Sequence, residues 1–376
     1  MTATTATTAG RTGPIANSLT AGRLPRGTTW ALLLGSWALL CIVFVLVQLG
    51  GGTTEFNLIG ALFLGTVLFD ILIYVVSLLV EGSRKAKDRL ITSLVATAFI
   101  IAVLPLVSLV YTVALKGLPR MLEPSFFTQS MRNILGPGGG ALHAIVGTIE
   151  VTAFATLISV PIGLFTAIYL VEYGKGALAK TITFLVDVMT GIPSIVAGLF
   201  AFALLALVFG DPGYRSGFGG SVALSVLMIP VVVRSSEEMI KLVPNELREA
   251  SYALGVPKWL TILKIVIPTS IAGITTGVTL AIARVIGETA PLLITVGATD
   301  SINRDPFHGN MMTLPVYVYR QYAAGLVPCA PGAEDCIATI NYDRAWSAAL
   351  VLILFVMLLN LLARGVSRWF APKTRA

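Results

Sequence analysis

Residues 90–115 read LITSLVATAFIIAVLPLVSLVYTVAL, a run of 26 residues without Asp, Glu, Lys or Arg. About 20 consecutive apolar residues are enough to cross the hydrocarbon core of a bilayer as a helix. A lone span must satisfy its own backbone hydrogen bonds in lipid, so the run predicts a helix and not a strand.

Seven other apolar runs accompany this one. They cover Trp30–Leu49, Leu58–Val80, Leu142–Val171, Ile182–Phe209, Gly219–Val233, Ile265–Val296 and Ala345–Leu362. The run 182–209 contains Pro193, which predicts a bend or break in that helix. Such a bend could expose backbone donors to a pathway, or its small residues could serve close helix packing. The pattern predicts an all-α polytopic membrane protein with about eight transmembrane helices.

The composition excludes most soluble classes of protein. Of the 376 residues, 56 % are hydrophobic and 12 % are charged, whereas a soluble protein has about 25 % charged residues. The mean hydropathy is +0.86. A soluble enzyme, a nucleic-acid binder and a disordered protein are therefore all poor fits.

The positive charges predict the orientation in the membrane. With the N-terminus inside and eight spans, 17 of the 26 Lys and Arg residues fall in cytoplasmic segments and 7 in outside loops. This asymmetry predicts a multi-pass protein of the cytoplasmic membrane with both termini in the cytoplasm. It also explains the net charge of +7 without nucleic acid. Residues 1–29, rich in Thr, Ala and Gly, and residues 366–376 are predicted to be cytoplasmic tails, the first of them disordered.

Cys329 and Cys336 lie in the longest outside loop. An oxidising compartment favours a disulfide between them, although two free thiols are the alternative. Three acids, Asp70, Glu150 and Asp187, fall within predicted spans and are candidate functional residues by default. For Asp70 a structural hydrogen bond is the preferred interpretation. No Cys or His cluster has the spacing of metal ligands, so we expect no metal site.

The polar segment between the sixth and seventh runs, residues 244–259, reads PNELREASYALGVPKW. Asn245 can cap a helix and Gly255 can end it. The residues predicted to share one face of that helix are Leu247, Ala250, Ser251 and Leu254. The segment therefore predicts a short helix at the cytoplasmic mouth of the bundle, either docked in a groove of a partner or lying on lipid headgroups.

One pattern within this segment resembles a known family. Glu249-Ala250-Ser251, three residues, Gly255, nine residues, Ile265, one residue and Ile267-Pro268 resemble the EAA loop of ABC importer permeases, with Ser251 replacing Ala and Ile267 replacing Leu. The resemblance implies a six-helix, MetI-like permease core. It also implies that Glu249, Ala250 and Gly255, in a coupling loop over residues 241–268, contact an ATPase subunit.

Two stretches on either side of this segment make the family resemblance more specific. Pro230–Glu237 and Ala283–Leu293 resemble PstA-type permeases of phosphate importers, over about residues 90–365. Residues 30–80 would then be two extra helices. The resemblance implies transport of inorganic phosphate, and four partners: a second homologous permease, an ATPase subunit dimer that binds ATP and Mg, an extracytoplasmic phosphate-binding protein, and membrane lipid.

Charged pairs in the same stretches are candidates for the substrate pathway. Arg284 and Glu288 are four residues apart and Arg234 and Glu237 are three apart, so each pair is predicted to share a helical face. A guanidinium suits a phosphate oxyanion, and an Arg–Glu pair could close the path until phosphate competes. The alternative is a salt bridge that only fixes packing. Arg234 could also extend to the cytoplasmic interface.

The sequence has no Gly-x-x-x-x-Gly-Lys-Ser/Thr phosphate loop. We therefore expect that the chain is not an enzyme, carries no cofactor of its own, and depends on a separate ATPase. Three alternatives remain. One is an importer of molybdate, sulfate or phosphonate, another is a secondary transporter or channel, and the third is a sensor or scaffold that relays phosphate status.

Overall fold

The structure is a computed structural model that describes residues 22, 24–25, 27–50, 56–134, 136–329 and 336–370, with side chains to residue 365. All regular secondary structure in these ranges is helical. Most of the predicted N-terminal tail, and residues 371–376 of the predicted C-terminal tail, lie outside the described residues. Residues 366–370 of that tail continue the last helix.

The chain forms two compact units, residues 1–110 and 111–376. The first unit holds α1 (Thr28–Leu49), α2 (Leu58–Val80) and the first part of α3 (Ser83–Met121). Gly65 lets α1 and α2 approach closely, because a Cβ at this position would lie 2.7 Å from Cδ1 of Trp37. The indole Nε1 of Trp37 donates to Oγ1 of Thr66 at 3.1 Å.

Two acids of the first unit have identified partners. Ser93 donates a hydrogen bond to Asp70, as the structural interpretation of Asp70 predicted. Glu81, between α2 and α3, accepts from Nε of Arg89 at 2.6 Å and from the Leu24 backbone N–H at 3.0 Å. Mainly because of the Arg89 bond, the pKa of Glu81 is lowered to about 2.

In the described part of the second unit there are eleven further α-helices. They are α4 (Pro124–Thr128), α5 (Leu142–Ile168), α6 (Gly176–Thr190), α7 (Ser194–Phe209), α8 (Gly217–Lys241), α9 (Asn245–Ala253), α10 (Lys258–Thr261), α11 (Ile267–Ile286), α12 (Ala290–Thr295), α13 (Leu314–Ala324) and α14 (Ile340–Phe370). Single π-helical turns extend α5 over Tyr169–Tyr173 and precede α11 over Ile262–Val266.

The core of the second unit forms where α5 packs along α8. Small residues permit this close packing: a Cβ at Gly163 would lie 2.6 Å from a methyl group of Val232. Buried serines bridge the same two helices, as where Ser221 Oγ donates to the Val151 carbonyl at 3.0 Å.

The described residues contain seven helices long and apolar enough to cross a membrane, or eight if the bent pair α6 and α7 is one span. This agrees with the predicted number of spans. The run predicted at 182–209 is broken, as Pro193 suggested, and the chain bends by 111° between the two helices α6 and α7. The run predicted at 265–296 is not one helix, because α11 ends at Ile286 and α12 starts at Ala290. Pro291, which cannot donate a backbone hydrogen bond, explains the second break.

Candidate functional site

The short helix predicted at the cytoplasmic mouth is α9. Its N-cap is Pro244, so the predicted capping role of Asn245 is wrong. Asn245 is the first helical residue, and its Oδ1 accepts from Nη1 of Arg248 at 3.2 Å. The side-chain oxygen of Asn245 therefore accepts a hydrogen bond from an arginine and not from a backbone N–H of the first turn.

The C-terminal end of α9 agrees with the prediction for Gly255. This glycine has φ of +75°, and its N–H donates to the Tyr252 carbonyl at 2.9 Å. The N–H of Val256 donates to the Ser251 carbonyl at 3.2 Å. These two bonds form a Schellman motif, in which glycine is favoured because it has no Cβ.

One side of α9 is open to the surroundings. Glu249, Ala250 and Gly255 are all exposed, and Leu247 and Leu254 are 42 % and 83 % exposed. Trp259, just beyond, is 61 % exposed. Large apolar side chains exposed within one short segment are typical of an interaction site.

Ser251, which the spacing places beside Leu247 and Ala250, is not part of the exposed surface of α9. Its side chain is buried, and Oγ lies 2.8 Å from Oγ1 of Thr261. The hydroxyl that distinguishes this chain from the Ala of the EAA pattern thus bonds α9 to α10.

Two residues that sequence reasoning missed hold α9 to the rest of the unit. Nε of Arg248 donates to Oε1 of Glu172 at 3.0 Å, and Nη2 of Arg248 donates to the Ile240 carbonyl at 3.0 Å. Arg248 and Glu172 are 76 residues apart, so no local spacing links them. The only signal in the sequence is the acid that directly follows the apolar run ending at Val171.

Arg234 lies in a network of four charges. Its Nη1 donates to Oε2 of Glu237 at 2.8 Å, which is the pair that the three-residue spacing predicted. Its Nη2 donates to Asp187 of α6, a partner that was not predicted. The buried carboxylate of Glu237 also accepts from Nζ of Lys241 at 2.7 Å. The network therefore balances two cations with two anions and bridges α6 and α8.

The predicted pairing of Arg284 with Glu288 is wrong in this structure. Because α11 ends at Ile286, Glu288 lies in the turn beyond the helix, where its N–H donates to the Val285 carbonyl at 3.1 Å. No ion pair joins the two side chains in the described residues. Arg284 is exposed in the last turn of α11, where the negative end of the helix dipole favours a cation.

The glycines of the bent region serve close packing. A Cβ at Gly198 would lie 2.6 Å from Cα of Pro291, so α7 and α12 are in contact. Gly273 packs in the same way against Met239, and Gly277 against Ser235. These contacts support the packing interpretation of the small residues over a pathway role.

The remaining predicted residues lie elsewhere in the second unit. Cys329 and Cys336 form a disulfide bond. Glu150 has a buried Oε2 atom without a hydrogen-bond partner among the described residues, and its role stays a prediction. Within the described ranges, no group of three or more His, Cys, Asp or Glu residues could hold a metal ion.

Comparison with known proteins gives consistent results. Residues 159–376 match the family described as "binding-protein-dependent transport system inner membrane component". The chain is 45 % identical over 294 residues to the phosphate transport system permease protein PstA 1 of Mycobacterium tuberculosis, covering 78 % of this chain and 92 % of the relative. It is 39 % identical over 284 residues to the PstA protein of Pasteurella multocida, covering 75 % and 94 %.

Two solved structures are more distant. A chain of the MetNI methionine ABC transporter, in an inward-facing conformation, is 18 % identical with a TM-score of 0.45, covering 62 % of this chain and 94 % of that chain. A bacterial ABC transporter involved in alginate import is 14 % identical with a TM-score of 0.48, covering 77 % and 97 %. Similarities of this size do not define the fold by themselves.

The family match covers more than half of the chain, and the relatives are covered almost in full. The apolar helices of the chain, together with its relatives, place it in the inner membrane. The chain is a permease subunit and not itself the ATPase. The permease fold therefore implies an ATPase and a substrate-binding protein as partners. The chain therefore belongs to the binding-protein-dependent transport system inner membrane components and, among them, to the PstA-type permeases.

Proposed function

We propose that this chain is the membrane permease subunit of an ATP-driven importer and that it carries inorganic phosphate across the cytoplasmic membrane. The observation that carries the proposal is the 45 % identity over 92 % of the length of a relative named as a phosphate transport system permease. The charged and apolar surfaces of the second unit support it.

The open face of α9 is the proposed docking surface for the ATPase. Leu247 and Leu254 offer apolar area, and Glu249 is exposed on the same short helix. Ala250 and Gly255 have no long side chains, so a partner groove can approach the backbone closely. Burial of exposed apolar surface contributes roughly 25 cal/mol per Å², which favours a protein groove over exposure to water.

Arg284 is the proposed phosphate ligand. Its guanidinium is exposed, and it has no ion-pair partner among the described residues. A free guanidinium can offer two parallel N–H donors to a phosphate oxyanion. We place the translocation path along this side of α11, between the chain and a second, homologous permease. Glu288, in the turn beyond, would repel the anion and help to release it.

The Arg234 network is the proposed gate on the same path. Arg234 is held by Asp187 and Glu237, so an arriving phosphate must displace at least one carboxylate. Lys241 would then keep Glu237 neutralised. This exchange of partners would let the substrate open a link between α6 and α8.

The orientation and the remaining partners follow the charge distribution. Both termini and α9 would lie in the cytoplasm, with an ATPase subunit dimer that supplies the sites for ATP and Mg. The loops at 116–141 and 297–344 would lie outside and receive an extracytoplasmic phosphate-binding protein. The chain itself would contribute no cofactor.

Uptake of labelled phosphate tests the proposal. Cells lacking the native chain would be complemented with wild type, Arg284→Ala, or the control Arg84→Ala, which removes another exposed arginine at the start of α3. Hydrogen bonds to a charged group are each worth about 1.5–3 kcal/mol, so we expect Arg284→Ala to lower uptake about 10- to 100-fold at equal membrane levels. The control should transport normally.

Two results would contradict parts of the proposal. Normal uptake by Arg284→Ala would remove this residue from the path. Failure of the wild-type chain to restore phosphate uptake would exclude phosphate as the substrate, and sulfate and molybdate uptake would then be measured. Transport without any co-purifying ATPase would identify a secondary transporter.

A further inference from the structure

Arg248 connects the short helix α9 to two membrane helices at once. We propose that Arg248, Glu172 and Lys258, here called the Arg248 junction, form the link through which movement of α9 is passed to α5 and α8. The inference rests on the proposed function, because it requires an ATPase that moves α9. Arg248 is a positioning residue in this account, since it touches neither substrate nor nucleotide.

The first arm of the junction is the ion pair with Glu172. Nε of Arg248 lies 3.0 Å from Oε1 of Glu172, and their side chains are only 12 % and 5 % exposed. Solvent and salt screen such an enclosed pair much less than a surface pair. Glu172 belongs to the π-helical turn that extends α5, so the pair fixes α9 to the end of that helix.

The second arm reaches the end of α8. The two terminal nitrogens of Arg248 donate to the carbonyls of Val243 and Ile240. The last carbonyls of a helix have no partner within the helix and carry its negative dipole end. The guanidinium fork of Arg248 donates to the Ile240 carbonyl of the last turn, to the Val243 carbonyl just beyond the helix and to the Glu172 carboxylate together, because its donors point in fixed, different directions.

The third arm comes from the start of α10. Nζ of Lys258 donates to the Glu172 carbonyl oxygen and lies 4.8 Å from the centroid of the Tyr173 ring. The backbone of Glu172 is therefore held by α10, while its side chain is held by α9. The end of α5, the end of α8 and the start of α10 therefore meet at Arg248 and Glu172.

The opposite side of α9 carries none of these bonds. Glu246 and Ala250, which helix geometry places opposite Arg248, are exposed there, so a partner would press on one side while the junction holds the other. The hydrogen bond between the Ser251 and Thr261 hydroxyls reaches only α10. Among the side-chain hydrogen bonds of α9 in the described part of the chain, only those of Arg248 reach α5 and α8.

The test is the number of phosphate ions transported per ATP hydrolysed by the complete importer in proteoliposomes, with the binding protein present. Arg248→Lys keeps the charge but loses the fork. Glu172→Gln keeps the shape but removes the anion. The control Lys180→Gln removes an exposed charge near the same membrane face.

If the junction passes movement, both variants should assemble with the ATPase and hydrolyse ATP, while transport per ATP falls about fivefold or more. A fivefold effect is the low end of the range found for coupling between distant sites in proteins. The control should match wild type. A merely structural junction would instead lower assembly, hydrolysis and transport together, at an unchanged ratio.

An unchanged ratio in Glu172→Gln would overturn the inference, even if Arg248→Lys failed to assemble, because this variant leaves the arginine and its carbonyl contacts in place. Failure of the proposed function has a different signature. In that case the wild-type complex would transport no phosphate, and the ratio would be measured with the oxyanion that it does transport.

Discussion

Gly198 lies directly against Pro291, so closely that a Cβ atom at position 198 would come within 2.6 Å of the proline Cα. The contact joins α7 to α12, two short helices that each follow a break in an apolar run. Neither helix reaches 18 residues. Neither helix is therefore long enough to cross the membrane as a simple span, and the contact between them holds both in place.

Gly198→Val should destabilise the folded chain by about 1–3 kcal/mol, because overpacking of a close contact forces neighbouring groups to move. The thermal unfolding temperature in detergent would show this as a decrease. Gly191→Ala is the matched control at the same break, since the nearest atom to its Cβ would be 3.5 Å away. Equal stability of the two variants would contradict the close contact.

The effect of a substitution at position 255 should depend on whether the new residue can adopt the left-handed backbone conformation. Gly255 has φ of +75° and open space around it, so the constraint is the backbone and not packing. Gly255→Asn should retain more transport than Gly255→Val, because both add a side chain to the docking surface but only Asn tolerates the left-handed region. Uptake at matched membrane levels measures the difference. Equal activity of Asn and Val variants would show that the Schellman end of α9 is dispensable.

The two carboxylates around Arg234 should differ in their contribution to stability. Side-chain exposure is 8 % for Glu237 and 59 % for Asp187. Removing one member of an enclosed pair costs about 3–5 kcal/mol, while an exposed pair is worth about 0–1 kcal/mol. Glu237→Ala should therefore lower the unfolding temperature much more than Asp187→Ala. The reverse order would mean that the network opens to solvent.

Acid should weaken the first unit through Glu81. Its pKa is lowered to about 2 from an ordinary value of 4.5, mainly by the Arg89 hydrogen bond. A depressed pKa contributes stability that is fully present above pH 4.5 and is lost as pH falls towards 2. Glu81→Gln should remove that part of the pH dependence, which unfolding temperatures between pH 6 and about 3 would reveal. A wild-type chain without any decrease in this range would refute the assignment.

Thiol labelling should report the orientation of the chain. With the disulfide on the outside, a membrane-impermeant maleimide should label intact cells only after reduction, and the label should disappear in Cys329→Ser/Cys336→Ser. Cys41, in α1, is a free thiol within a membrane span, so as the internal control it should stay unlabelled until detergent removes the bilayer. Labelling of the reduced pair only in broken cells would reverse the predicted topology.

The sequence predicted those features that depend on local spacing along an unbroken helix. Long apolar runs predicted the membrane helices, and Arg234 and Glu237 met because α8 is continuous between them. Gly255 was predicted as the end of α9 because a left-handed residue is required at that one position. Each of these inferences uses only a few neighbouring residues.

The features that sequence reasoning missed depend on helix breaks and on distant contacts. The four-residue rule failed for Arg284 and Glu288 because α11 ends between them, although Pro291 was a signal for that end. The contacts of Asp187 with Arg234 and of Glu172 with Arg248 span 47 and 76 residues. Pairings of this kind are set by packing of whole helices, and the positions in one sequence do not reveal them.

The π-helical turn at Ile262–Val266 has a consequence for the angular phase of α11. A π turn accommodates one residue more than an α turn, and one residue corresponds to about 100° around a helix axis. Loss of a single residue within this turn would convert it into an α turn and leave the direction of Arg284 unchanged, whereas loss of one residue within α11 before Arg284 would rotate that side chain by about 100°. The nine residues between Gly255 and Ile265 thus include part of a turn that can take up one residue without redirecting a distant side chain.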